Sequence, residues 1–276
     1  MEYGISTACF YPGLLDNAVD AIMEWRPPVV ELFANTVSEI EPDFIKEVRR
    51  KFDSCGTRVV SLHPFTSALE PLLFFSEYER RFYDAIELYK HYFEAAAMLG
   101  ARYFVFHGDR RDSEFDRRRG YERFALLDEA ARGFGLRVAH ENVSRCLSCE
   151  PEYIRGMREY LNGNVKFVLD LKQCRRGGVG IYDMLEAMGD CVAHLHVSDA
   201  CGERTCLPVG SGSFDFGGLV RRLRGFGYDG AFIVELYRNN YSDISELETS
   251  IANLRKLLGA CGEGEEAADG ESGSRA

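Results

Sequence analysis

Eight short runs rich in β-branched and aromatic residues recur along this chain, and each is followed by a longer amphipathic stretch. The runs are YGISTACF from residue 3, VVELFA from 29, RVVSLH from 58, YFVFHG from 103, RVAHENV from 137, VKFVLDL from 165, VAHLHVSD from 192 and AFIVELY from 231. Each is short enough to be a buried strand. The stretches between them, such as LLDNAVDAIMEW, PDFIKEVRRKF and ERRFYDAIELYKHYFEAAAMLG, space their apolar residues for a helix face. Pro42 suits a first helical turn, and Gly100 suits a helix C-terminus. Strict strand–helix alternation demands a parallel sheet, because parallel neighbours need a crossover between them. An open doubly wound sheet tends to carry a glycine-rich phosphate loop after its first strand, whereas YPGLLDNA follows here. The expected fold is therefore α/β, a single-domain (β/α)8 barrel over residues 1–259.

Composition narrows the function. Net charge is −11, which argues against a nucleic-acid partner, since phosphate neutralisation supplies most of such affinity. No apolar run approaches the roughly 18 residues of a membrane span, so no membrane association is expected. The opening MEYGISTACFYPG has neither a basic segment nor an apolar one of the kind that signals secretion. Nine cysteines, an odd count, then read as free thiols in a reducing cytoplasm. The single CxxC, Cys146 to Cys149, has no second pair to complete a zinc knuckle and reads as a loop with two free thiols. Residues 260–276, ACGEGEEAADGESGSRA, have little to bury and are expected to be a disordered tail.

In a barrel of this type the catalytic groups come from the C-terminal ends of the strands. Those ends carry Glu31 on the second strand, His63 on the third, His107 and Asp109 on the fourth, and Glu141 and Asn142 on the fifth. Asp170 follows on the sixth, His194 and His196 on the seventh, and Glu235 on the eighth. Core strands have no packing reason to end this way, because buried charge is unfavourable unless paired or metal-bound. Of the other two histidines, His91 is expected exposed on a helix and His140 turned toward the helical layer. In AHLHVSD the period of two points His194 and His196 to one face, and His196 lies nearer the rim. Taken alone, that run reads equally as a half-buried strand with bonded histidines. With Glu141, Asp170 and Glu235 on the same rim, His196 is better explained as a metal ligand, with His194 one layer deeper as support. Three carboxylates and one imidazole suit one divalent ion, Mn²⁺, Co²⁺, Mg²⁺ or Zn²⁺.

This pattern resembles the xylose isomerase-like barrels, a superfamily of sugar isomerases, ketose 3-epimerases, hydroxypyruvate isomerases, inosose dehydratases and zinc AP endonucleases. The resemblance spans Gly4 to about Leu258 and is carried by Glu141-Asn142, Asp170, His194-Leu195-His196 with Asp199, VGSGSFDF with Gly210, Gly212 and Asp215, and Glu235. It implies a metal held by Glu141, Asp170, His196 and Glu235, with the two glutamates doubling as proton-transfer groups. It implies a substrate pocket lined by His63 and His107, positions where the endonucleases hold further zinc, and it implies pairing into homodimers. Two departures stand out. Gln173 replaces the histidine usual three residues after the strand-six aspartate, and the loop CGERTCLPVG lacks the endonuclease histidine. Both argue against a three-metal nuclease.

The expected activity is metal-dependent isomerisation or epimerisation of a small sugar, sugar phosphate or sugar acid through an enediolate, with Glu141 and Glu235 as the acid–base pair. The alternatives are an inosose-type dehydratase using the same site, a zinc phosphodiesterase of the AP-endonuclease type, and a non-catalytic sugar-binding barrel. Gln173 is expected to bond a substrate hydroxyl. Arg204 reads as a contact to a substrate hydroxyl or phosphate, or as a solvated loop charge. Glu31 reads as pocket polarity or as a structural ion pair.

Overall fold

The structure is a computed structural model that describes the backbone of residues 1–270 and side chains through Cys261. Eight parallel strands close into a barrel: β1 (Glu2–Ser6), β2 (Val29–Ala34), β3 (Arg58–Pro64), β4 (Tyr103–Phe106), β5 (Arg137–Glu141), β6 (Lys166–Asp170), β7 (Val192–Val197) and β10 (Ala231–Val234). They pair in chain order around the ring, β1 closing on β10. The expected barrel is therefore the observed one. The first strand is shorter than its apolar run, because Thr7–Phe10 turn into a 3-10 segment when the Ser6 hydroxyl accepts the Ala8 N–H.

The crossovers are α1 (Leu15–Trp25), α2 (Pro42–Cys55), α4 (Glu79–Leu99), α5 (Arg117–Arg132), α6 (Pro151–Tyr160), α8 (Ile181–Met188) and α9 (Phe216–Gly225), and α10 (Ser245–Gly270) follows the last strand. Pro42 opens α2, and Gly100 closes α4 in the left-handed conformation, as their positions in the sequence lead one to expect. The last helix carries its backbone into the segment expected as a tail, and residues 271–276 lie outside the described residues. No described helix is long and apolar enough to cross a membrane.

Two short helices and a hairpin go beyond simple alternation. A short helix α3 (Glu70–Phe74) follows β3, and a hairpin of β8 (Asp199–Cys201) and β9 (Arg204–Leu207) follows β7. A further helix, α7 (Leu171–Gly177), starts directly at the end of β6. The Asp170 carboxylate caps it by accepting the Gln173 N–H, and Gly178 ends it at positive φ.

The main core fills the space between strands and helices, with Leu62, Phe104, Phe106, Leu169, Leu195, Val197 and Phe232 packed outward. Two small apolar clusters stand apart from it: Val105, Ala139 and Val168 with Ala193, and Val29, Val60, Ala231 and Ile233. Val105, Ala139, Val168, Val29 and Ile233 each lie two residues before His107, Glu141, Asp170, Glu31 and Glu235. Alternation along each strand therefore sends apolar and chemical side chains to the same interior face. The barrel interior is greasy lower down and ionic above.

Candidate active site at the barrel mouth

Strands β5, β6, β7 and β10 are consecutive around the ring, and their register decides what meets. Asp170 pairs with His196, and Ile233 pairs with His196 from the other side. The Glu235 N–H extends the ladder by donating to the Val197 carbonyl at 3.1 Å. The ligand atoms of Glu141, Asp170, His196 and Glu235 thereby fall within 4.8 Å of one another. His196 Nδ1 lies 3.6 Å from Glu141 Oε1, 3.6 Å from Asp170 Oδ2 and 3.3 Å from Glu235 Oε2. It has no hydrogen-bond partner among the described residues.

The other ring nitrogen is committed. His196 Nε2 and His194 Nε2 each lie 3.0 Å from Glu31 Oε2, which also accepts the Ser61 hydroxyl, while Glu31 Oε1 accepts the Ser6 hydroxyl. With Nε2–H donating to Glu31, the His196 ring is fixed so that Nδ1 faces the three upper carboxylates. Burial pushes the Glu31 carboxyl up, but His196 and His194 outweigh it and hold the carboxyl well below the usual range. Burial likewise pulls the His196 pKa down, yet Glu31, Glu235, Asp170 and Glu141 together raise it well above the ordinary imidazole value. Nδ1 is thus a position that carries either a proton or a cation.

Asp170 moves the other way from Glu31. Burial raises its pKa; Lys172 and His196 oppose this, the charges of Glu141 and Glu235 add to it, and the net direction is upward. Lys172 is the cation that comes closest to compensating. It is buried, and its Nζ contacts both Asp170 Oδ2 and Glu235 Oε2.

A histidine relay forms the β3–β4 side of the mouth. His63 Nδ1 lies 3.3 Å from the Pro64 carbonyl, His63 Nε2 lies 2.9 Å from His107 Nε2, and His107 Nδ1 lies 3.3 Å from a guanidinium nitrogen of Arg145. One proton assignment satisfies all three contacts: Arg145 donates to His107 Nδ1, His107 Nε2–H donates to His63 Nε2, and His63 Nδ1–H donates to Pro64 O. Burial lowers the His107 pKa, in keeping with a neutral ring. Glu141 Oε2, 3.0 Å from His107 Nε2 and 3.6 Å from His63 Nε2, is then left without hydrogen-bond geometry to either. His140 turns outward as expected, stacking on Phe124 with ring centroids 5.4 Å apart, and its Nε2 lies 3.1 Å from the His107 carbonyl. Gly108 completes that turn at φ +86°, where a Cβ would lie 2.3 Å from His140 Nε2.

The site opens into a cavity of about 430 Å³ lined on one side by Glu141, His63, His107, Lys172, Gln173 and Glu235. Tyr11, Phe33, Phe65, Leu236 and Tyr237 supply its apolar wall. Gln173 Oε1 accepts the Ser144 N–H, and its amide donates to the Tyr237 hydroxyl at 3.3 Å. Asn142 braces the neighbouring strand, donating to the Asp170 carbonyl and accepting the Asp170 N–H. Asp109 lies outside this cavity and lines an adjacent one, which shares Ser67 and Arg145 with it.

Two of the candidate substrate residues lie apart from the cavity lining. Glu31 does not line the substrate cavity; it sits a layer below, fully buried and saturated by hydroxyl and imidazole donors. Arg204 is exposed at the start of β9 and is not among the residues that line the cavity. Lys172, Arg145 and Tyr237 were not singled out by sequence reasoning. For Lys172 a usable signal exists: Asp170-x-x-Gln173 with Gly178 downstream marks a short capped helix that folds its first turn back over the strand end. His91 is exposed, and Cys146 and Cys149 are free thiols, as expected. The motif residue Asp199 plays a structural part, its carboxylate accepting the N–H groups of Ala200, Gly210, Gly212 and Phe214 to close the loop before α9.

The chain is 22% identical over 254 residues to the uncharacterized protein MJ1311 of Methanocaldococcus jannaschii, a match covering 85% of this chain and 83% of that protein. Its fold is similar to that of a D-tagatose 3-epimerase-like protein, with TM-score 0.77 at 20% identity over 95% of this chain and 99% of the other. It is also similar to an L-ribulose 3-epimerase, with TM-score 0.78 at 14% identity and 97% of each chain covered. The probable 3-DHS dehydratase AsbF of Bacillus anthracis shares the fold with TM-score 0.74 at 13% identity, over 92% of this chain and 99% of that one. The family model described as xylose isomerase-like TIM barrel matches residues 19–257, and the chain belongs to that family.

Proposed function

We propose that this protein is a divalent-metal-dependent isomerase or epimerase of a small sugar, sugar phosphate or sugar acid. The observation that carries the reading is the buried cluster of Glu141, Asp170, His196 and Glu235, in which His196 Nδ1 and Glu141 Oε2 have no hydrogen-bond partner among the described residues. Buried polar atoms are rarely left so, and three carboxylates with one imidazole match the donors of Mn²⁺, Co²⁺, Mg²⁺ or Zn²⁺. Those four residues would hold the ion. When bound, it supplies positive charge to a substrate carbonyl as that group gains enediolate character, an effect worth several kcal/mol.

The chain's own residues do the rest. Glu141 and Glu235 both line the cavity, so one carboxylate takes the proton from the carbon beside the carbonyl, and the other returns it. Return to the opposite face of the same carbon gives epimerisation, and return to the neighbouring carbon gives isomerisation. Glu31 keeps His196 in one tautomer. Gln173 offers its amide to a hydroxyl, and Tyr11, Phe33 and Phe65 keep bulk water from the proton-transfer path. A second reading follows from the likeness to a probable dehydratase: the same base and ion, with a β-hydroxyl expelled from the same enediolate.

The test is metal analysis of the purified protein, followed by incubation of ketoses, inososes and hydroxypyruvate in D₂O with that metal. One ion per chain and deuterium at the carbon beside the carbonyl are expected. A product lighter by one water moves the assignment to the lyase. Two or three ions per chain, which would engage His63 and His107, favour a phosphodiesterase. Absence of exchange with every substrate class in the loaded protein sinks the enediolate reading.

A further inference from the structure

We propose that Lys172 is a built-in competitor for the metal: its ammonium holds Asp170 and Glu235, and a divalent ion enters the cluster only by displacing it into the cavity. The proposal rests on the metal-site reading above and concerns what this chain adds to it. The geometry is specific. Lys172 Nζ contacts Asp170 Oδ2 and Glu235 Oε2, and these are the same oxygens that approach His196 Nδ1, at 3.6 and 3.3 Å. They are the oxygens turned to the centre of the four-residue set. The other Asp170 oxygen, Oδ1, points away to accept the Gln173 N–H as the cap of α7, which leaves Oδ2 as the one facing the cluster. A metal ion and an ammonium therefore need the same Asp170 oxygen, and two cations on one oxygen repel each other.

The lysine also has somewhere to go. It already lines the catalytic cavity, and its Nζ lies 5.5 Å from the centroid of the Tyr237 ring, which lines the same wall. A turn of its flexible stem moves the ammonium from the carboxylates into the cavity beside Tyr237, whose ring also carries the Arg176 guanidinium at 4.5 Å from its centroid, without unfolding the helix. The four-donor set alone would bind a divalent ion more tightly than this chain does. Loading the ion would also deliver a cationic donor to the cavity wall.

The experiment is a calorimetric titration of Mn²⁺ into the metal-free wild-type protein and into Lys172→Met and Lys172→Gln. Affinity at least about tenfold tighter in both variants is expected, and equal or weaker affinity overturns the proposal. Removing the ammonium leaves carboxylates without a counter-charge, so the variants can fail to fold metal-free. A wild-type measurement covers that case. Lysines are reductively methylated with and without saturating Mn²⁺, and modification of Lys172 is read by peptide mass spectrometry against the surface residues Lys46 and Lys90. Saturation is expected to speed Lys172 modification about fivefold or more while leaving Lys46 and Lys90 unchanged. Unchanged or slower modification of Lys172 overturns the displacement. If neither wild type nor variant binds Mn²⁺, Co²⁺ or Zn²⁺, the metal-site reading itself has failed and this proposal falls with it. Equal binding by all three proteins removes the competitor alone.

Discussion

Two carboxylate–imidazole clusters are stacked inside this barrel, and they share one ring. The lower, Glu31 with His194 and His196, is closed around its carboxylate: Glu31 collects two hydroxyls and two imidazole N–H groups, and only His194 Nδ1, on the other side of its ring, lacks a partner among the described residues. The upper, Glu141, Asp170 and Glu235 around the other side of His196, is open: His196 Nδ1 and Glu141 Oε2 lack partners, and Asp170 is held against neighbouring negative charge. Both use the same residue types at nearly complete burial. The difference lies in who answers the charge. The lower cluster is answered from within the chain and holds a ring in place. The upper one is answered unevenly: against the push of burial, His107 and His196 lower the Glu141 pKa, Lys172 and His196 lower that of Glu235, and only Asp170 is left with a raised one. Under the proposed function, the first cluster serves to hold the ring and the second to do chemistry, a division common at active sites.

Turnover should separate the two most sharply. Glu141→Gln and Glu235→Gln each remove a proton-transfer group, so activity on whichever substrate is identified should fall by about 10³-fold or more, with unchanged circular dichroism. Glu31→Gln acts only through His196 and should lower metal affinity and activity by about 10- to 100-fold. If Glu31→Gln is as disabling as the upper pair, the two layers do not divide their labour in this way.

Stability of the metal-free protein should show the reverse order. Glu31→Gln confronts imidazole and hydroxyl donors with an amide and should destabilise by about 3 kcal/mol in urea titration. Asp170→Asn keeps an acceptor for the α7 cap and removes a charge that burial, Glu141 and Glu235 disfavour, but it also takes one of two carboxylates from Lys172, so it should destabilise by no more than about 1 kcal/mol. A loss from Asp170→Asn as large as that from Glu31→Gln would mean the upper cluster is as well compensated as the lower.

The pH dependence sharpens the same contrast with a smaller effect. Glu31, its pKa lowered in the folded protein, contributes stability that is fully present above the unfolded value of 4.5 and is lost as pH falls through the lowered one. Asp170, its pKa raised, contributes stability that is present below the unfolded value of 3.8 and is lost as pH rises through the raised one. Across urea midpoints measured from pH 7 to pH 3, Glu31→Gln should flatten the acid loss, and Asp170→Asn should steepen it. Shifts of the same sign in both variants would contradict the pKa directions.

The barrel was legible because it is written in periodicity: eight alternations of period two and period 3.6 leave few topologies open. The upper cluster was legible for a related reason. Glu141, Asp170 and Glu235 each stand at the end of an apolar run, and alternation sends them to the interior face with His196. Depth was not legible. Glu31 shares that face, but it sits third in β2, beside Ser6 and Ser61 in the staggered register, and so falls a layer below. Lys172 went unread because its second partner, Glu235, is 63 residues away and only barrel closure brings them together. The eye rests on Gln173 in DLKQ, where the family pattern breaks, and passes over the lysine beside it.

Arg204 gives the smallest expected effect and tests how far the mouth extends. Its position soon after β7 made it a candidate for a substrate hydroxyl or phosphate, as if the loop folded over the cavity. The chain there forms the β8–β9 hairpin, anchored at its base where Asp199 pairs with Leu207, with Arg204 paired opposite Cys201 and exposed to solvent. An exposed guanidinium away from the cavity wall contributes little to binding or to stability. Arg204→Ala should therefore change KM less than about twofold and stability by no more than about 0.5 kcal/mol. Arg145, which lines the cavity and reaches His107, should respond more: Arg145→Ala is expected to raise KM for an anionic substrate by about tenfold or more. Equal effects of the two substitutions on KM would mean that the hairpin closes over bound substrate and that the cavity wall extends to β9.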